Sequence, residues 1–160
     1  MKKILASIVI ALLLIIVLMS TTFAAPAGGV RELPLRGSIE AVESYAVNFP
    51  IMSVTASGSG NASQLGRFTV SYAVDVNLVT IAGIGSAQFV AANGDSIYAS
   101  GGGQATETGT PGVFNIVENY TITGGTGRFA GASGTITLDR VVDTNTGATS
   151  GDISGMIVLP

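Results

Sequence analysis

The chain has 160 residues and contains no histidine, cysteine or tryptophan. These absences exclude an imidazole base, a His-ligated metal site, a thiolate nucleophile and any disulfide. Seven basic residues against ten acidic ones give a formal charge of −3, and without a basic patch this argues against nucleic acid or an anionic membrane surface as a partner.

Met1-Lys2-Lys3 leads into an apolar run, Ile4 to Met19, and then into Ser20-Thr-Thr-Phe-Ala-Ala-Pro-Ala27. A basic start, an apolar stretch and small residues make a secretory signal peptide, predicted as a signal helix over residues 1–27. Cleavage after Ala24 or Ala27 would release the protein outside the cytoplasm, secreted or in the cell envelope. The alternative is a retained anchor, the one predicted route to a membrane. Without Lys2 and Lys3, five arginines face ten carboxylates, a formal charge of −5. The remaining chain, roughly 130 residues, is one domain's worth.

Residues 28–36 read as a flexible tail, and the domain is predicted over 37–160. Ser38 to Val47 has β character, with Glu40 and Glu43 on opposite faces, and Pro50 marks an edge or a turn. Ser53 to Ser59 reads as a short strand and Gly58 to Ser63 as a loop. The cleanest signal is Arg67 to Val76, where Phe68, Val70, Tyr72, Val74 and Val76 face one way at period two. Leu78 to Ala91 predicts a strand broken or bulged at Gly83 and Gly85. Asn93-Gly94 is a type I′ hairpin signal before Asp95 to Ser100. Gly101-Gly-Gly103 and Thr108 to Gly112 bracket a predicted flexible loop. Val113 to Thr123 places Phe114, Ile116, Glu118, Tyr120 and Ile122 on one face. Ser133 to Val142 groups Ile136, Leu138, Arg140 and Val142, and Thr149 to Leu159 follows a turn at Asn145 to Gly147.

No convincing helical period follows the signal segment. Strand-like runs separated by glycine turns predict an all-β, antiparallel, closed barrel of about eight strands. A two-sheet sandwich is the alternative.

Between two of these strands runs Gly124-Gly-Thr-Gly-Arg-Phe-Ala-Gly131, continuing to Ser133-Gly134. Gly124, Gly125, Gly127 and Gly131 suit a chain folding tightly back on itself, because glycine reaches positive φ without a Cβ clash. Phe129, next to Arg128, is the one large apolar residue here and is expected to plug an end of the sheet. The stretch resembles the hairpin of the allene oxide cyclase and dirigent barrel superfamily, especially its small secreted bacterial members. Leu65-Gly-Arg-Phe-Thr69 and Ala91-Ala-Asn-Gly-Asp95, followed by Ser96-Ile-Tyr98, fit the same members. The resemblance implies an eight-stranded antiparallel barrel, often oligomeric, with a cavity in the plant members. It carries over no catalytic residue.

Glu118 stands out on an otherwise apolar inward face, where it could act as acid, base or hydrogen-bond acceptor, unless a rim position or a bulge turns it to solvent. Tyr72 and Tyr120 are expected on inward faces too, with hydroxyls that need partners if buried. Glu118, Tyr72 and Tyr120 are the candidate catalytic set. Tyr72, Tyr120, Phe114 and Phe68 are the candidate ligand-binding set. Arg67 and Arg128 are expected to pair with Asp75, Asp95 or Asp139. No sequence pattern calls for a metal or a cofactor. Three functions fit: a barrel holding a small apolar or aromatic ligand, a cyclase or other stereo-controlling enzyme, and an envelope module that self-associates.

Overall fold

Alternation at period two decides the architecture. In the run from Arg67 to Val74 the even-numbered side chains are buried and the odd-numbered ones exposed, and the same pattern recurs around the molecule. The structure, a computed structural model, describes residues 29–160, so the predicted signal segment lies outside the described residues. The strands are β1 (Arg31–Asn48), β2 (Ile51–Ala62), β3 (Gly66–Asn77), β4 (Ala82–Ala91), β5 (Ser96–Glu107), β6 (Val113–Gly125), β7 (Ser133–Asp143) and β8 (Ala148–Leu159). Each pairs antiparallel with the next and β8 pairs with β1, which closes the barrel. Closure leaves no free edge, so the expected closed barrel is what forms and the two-sheet sandwich is not.

The glycine-rich segments behave differently from their sequence reading. Residues 31–36, expected as tail, form the start of β1, because Arg31 to Arg36 pair with β8 from Leu159 to Ser154. Gly58 to Ala62, expected as loop, continue β2, paired with β1 on one side and β3 on the other. Gly101 to Gly103 likewise lie inside β5. Neighbours on both sides supply the backbone hydrogen bonds, which overrides the weak strand propensity of glycine. β4 starts at Ala82 and passes Gly83 and Gly85 without a register shift; the irregularity falls at Tyr98/Ala99, between β5 and β6. The β4–β5 turn is not the expected type I′, since only Gly94 has positive φ. Its Asn93 side chain instead donates to Asp95 Oδ2 at 2.7 Å and accepts from the Asp95 amide.

The two ends differ. At one, a 3-10 turn (Gly127–Phe129) folds across the opening, and Phe129 is 1% exposed, among the core residues. Arg128 lies over the Phe129 ring, 4.8 Å from its centroid, and donates through Nη2 to the Leu65 carbonyl at 3.2 Å. It also pairs with Asp95 at 3.8 Å; Arg67 has no ion pair among the described residues. Gly124 and Gly127 have positive φ. A Cβ on Gly127 would overlap the Asp95 carboxylate, whose Oδ2 accepts the Arg128 amide at 3.2 Å. Glycine is therefore required here twice over, for conformation and for close approach.

Phe129→Ala is expected to cost about 3–5 kcal/mol, through lost burial and the cavity left behind. Gly127→Ala should cost at least about 1–2 kcal/mol, because the left-handed region is imposed on a residue with a Cβ. Urea denaturation checks both, and a Phe129→Ala midpoint equal to wild type would show that the hairpin is no plug.

Candidate functional site

Midway along the barrel the inward face carries charge. Arg140 on β7 is 4% exposed, and Glu43 on β1 and Glu118 on β6 are comparably buried. Arg140 Nε donates to Glu118 Oε2 at 2.9 Å, and Nη1 donates to Glu43 Oε1 at 2.5 Å and to Thr149 Oγ1 at 2.9 Å. Tyrosine hydroxyls occupy the remaining acceptor positions. Tyr72 donates to Glu43 Oε1 at 2.6 Å, Tyr45 to Glu43 Oε2 at 2.8 Å, and Tyr120 to Glu118 Oε1 at 3.2 Å. No buried side-chain polar atom among the described residues lacks a partner, the condition under which such a network is tolerated in an apolar interior.

Glycines make the room. Gly103 faces Glu118 across the β5–β6 pair, and a Cβ there would sit 2.7 Å from Glu118 Cγ. Gly151 faces Arg140 on β8, where a Cβ would come within 2.6 Å of Arg140 Cβ. The bare backbone of β8 at that level lets the guanidinium reach over to Glu43 on β1. Gly101, which faces Tyr120, and Gly103, both read from sequence as loop, are thus part of how the site is built.

Burial pushes Tyr72 well above the ordinary tyrosine range, with Glu43 adding to the rise and Arg140 opposing it. Burial does the same for Tyr120, reinforced by Glu118. For Arg140, burial works against the charge, but the hydrogen bond and charge of Glu118 and the charge of Glu43 outweigh it and raise its pKa. The guanidinium is a permanent cation held between two carboxylates.

Above this layer the barrel is hollow. A cavity of about 270 Å³ has Glu43, Tyr45, Glu118 and Arg140 as its polar floor and Val54, Val74 and Ile116 among its apolar walls. It reaches Leu78, Ile81 and Thr144, residues of the turns at the end opposite the Phe129 plug. Of the residues singled out from sequence, Glu118 lies in the floor and Phe114 in the wall. Tyr72 and Tyr120 stand on the closed-end side of the carboxylates and do not line the cavity. Phe68, expected to bind ligand, lies deeper in the core against Phe89, edge to face at 5.6 Å. Sequence reasoning gave no role to Glu43, Tyr45 or Thr149, and placed Arg140 on the inward face without one. The signal was present: Glu43 continues the inward series Ile39, Ala41.

No family model and no curated protein matches the sequence. The structure is similar to that of a pterocarpan synthase dirigent protein, with a TM-score of 0.60 over 81% of this chain and 89% of the other. The fold is dirigent-like. At 11% identity the similarity is one of backbone architecture, and it carries no residue of that protein onto this one.

Arg140→Met should cost about 3–5 kcal/mol at neutral pH, because two buried carboxylates lose their cation. Adding Glu43→Met and Glu118→Met should restore part of it, since the unpaired carboxylates are gone while the buried Tyr72 and Tyr120 hydroxyls are left without acceptors. Urea midpoints of the single and triple variants test the pair; a single variant as stable as wild type would contradict the ion pairing.

The tyrosines give a pH dependence of definite sign. The folded state holds the Tyr72 and Tyr120 protons more tightly than the unfolded chain does. Their contribution is therefore complete below about pH 10 and declines above it, by about 1.4 kcal/mol per pH unit for each tyrosine. Urea midpoints measured from about pH 8 to about pH 11.5 should be flat and then fall, with Tyr72→Phe falling less steeply by one proton's worth. An unchanged slope in Tyr72→Phe would remove Tyr72 from the network.

Proposed function

We propose that this is a secreted, dirigent-type barrel that holds a small apolar or aromatic ligand in the cavity at its open end. The observation that carries the reading is the cavity: apolar walls ending on a floor of Glu43, Glu118 and Arg140. Ligand pockets commonly join mostly apolar walls to a few placed polar groups, at volumes of about 300–1,000 Å³. At about 270 Å³ this one suits a substituted aromatic ring or a short lipid chain. The apolar run at residues 4–19 supports a site of action outside the cytoplasm. The likeness of the glycine hairpin to the small secreted bacterial barrels supports the same reading.

A second reading, an enzyme that confines a reactive intermediate, is favoured by the same floor. A mostly apolar cavity with two carboxylates and a guanidinium in its floor can stabilise a developing charge and control which face of an intermediate reacts. Glu118 would then be the group nearest the chemistry, and Glu118→Gln the variant that abolishes turnover.

The binding reading is tested with a neutral naphthylamine dye that fluoresces in apolar surroundings, alongside mass spectrometry of the native protein for co-purified apolar molecules. Ala105 lines the cavity, and Ala105→Phe would fill it. Wild type is expected to bind the dye and Ala105→Phe to lose at least about tenfold in affinity. Equal binding by both would place the dye elsewhere and overturn the assignment.

A further inference from the structure

The mouth of the cavity is bordered on one side by apolar side chains that no other described residue covers. The β1–β2 turn presents Val47, Phe49 and Ile51, and the β3–β4 turn presents Leu78, Val79 and Ile81. Phe49 is 73% exposed and Val79 is 69% exposed. The Leu78 amide donates to the Pro50 carbonyl at 2.8 Å, which joins the two turns into one ridge. Neither Val47 to Ile51 nor Asn77 to Ile84 contains a charged residue. Leu78 and Ile81 belong to both the ridge and the cavity lining, so the apolar surface runs unbroken from outside to inside.

We propose that this ridge inserts into a zwitterionic lipid surface and sets the mouth of the cavity against it. Exposed contiguous apolar surface of this kind marks an interaction site. Its shape favours lipid over a second copy of the chain. A stable protein interface takes about 20–30 residues a side, whereas the ridge is six side chains on two projecting turns. The nearby charges favour neutral over anionic lipid. Asp75, Glu107 and Asp143 lie toward the open end, while the exposed arginines Arg31, Arg36, Arg67 and Arg128 lie at the closed end. Uncharged turns flanked by carboxylates match a phosphatidylcholine surface and would be repelled by an acidic one. The sequence places membrane contact only in the N-terminal apolar run; the ridge is a separate feature, at the end of the barrel opposite Arg31, where β1 begins.

The chain has no tryptophan, so Phe49→Trp in the full-length protein supplies a single indole that reads the ridge itself. Val117→Trp, on the outer wall, is the control. With phosphatidylcholine vesicles, the indole of Phe49→Trp is expected to shift its emission to the blue and to be quenched by brominated lipid, and that of Val117→Trp is not. Val79→Asp, an exposed position that leaves the fold intact, should weaken the response of Phe49→Trp about tenfold. Ala105→Phe should leave that response unchanged, which separates it from ligand binding within the cavity. A Phe49→Trp signal indifferent to vesicles, or no different from Val117→Trp, overturns the proposal. So does its loss in Ala105→Phe, or a lipid-free dimer in light scattering that Val79→Asp dissociates, which would assign the ridge to a second copy.

Discussion

The Arg140 guanidinium sets the terms for the interior of this barrel. It cannot give up its proton, so its place on an inward face has to be compensated by other inward side chains. Glu118 from the neighbouring strand and Glu43 from two strands away supply the charge, and Thr149 and three tyrosine hydroxyls complete the hydrogen bonding. Burying ions costs several kcal/mol each, and a pair or triad offsets that cost only with good geometry and every polar group satisfied. Both conditions hold here, and they hold because glycines on β5 and β8 leave room beside the charged side chains.

This layer divides the barrel into unlike halves. Toward the Phe129 plug, aromatic and branched side chains fill the interior, with Phe68 against Phe89 and Ile97, Ile136 and Ile157 fully buried. Toward the other end, several inward positions carry small groups, Val54, Val74, Gly83 and Ala105, beside the larger Phe114 and Ile116, and a cavity open at the turns remains. A barrel of eight strands is near the size at which side chains can either fill the interior or leave space for one small ligand. Here the two outcomes share one molecule. The filled half supplies packing, and the open half can carry function without undermining it.

Much of the wall could be read from the sequence. Phe68 to Val76 alternates cleanly, and Val113 to Thr123 correctly places Glu118 and Tyr120 inward, because strand periodicity is a local property. The plug was legible too, since a lone phenylalanine amid glycines in a tight return has few places to go but the core. The glycine-rich halves of β2 and β5 were not, because strand propensity is weak there and only paired neighbours keep them extended.

The charged site was beyond sequence reasoning for a different reason. Glu43 and Arg140 stand 97 positions apart and meet only because β8 closes against β1. Local pattern determined which side chains face inward: Glu118, Tyr72, Tyr120 and Arg140. Tertiary structure alone decided their level along the barrel, which glycine stands opposite each, and which end stays open. Those follow from register and closure, properties of eight strands together.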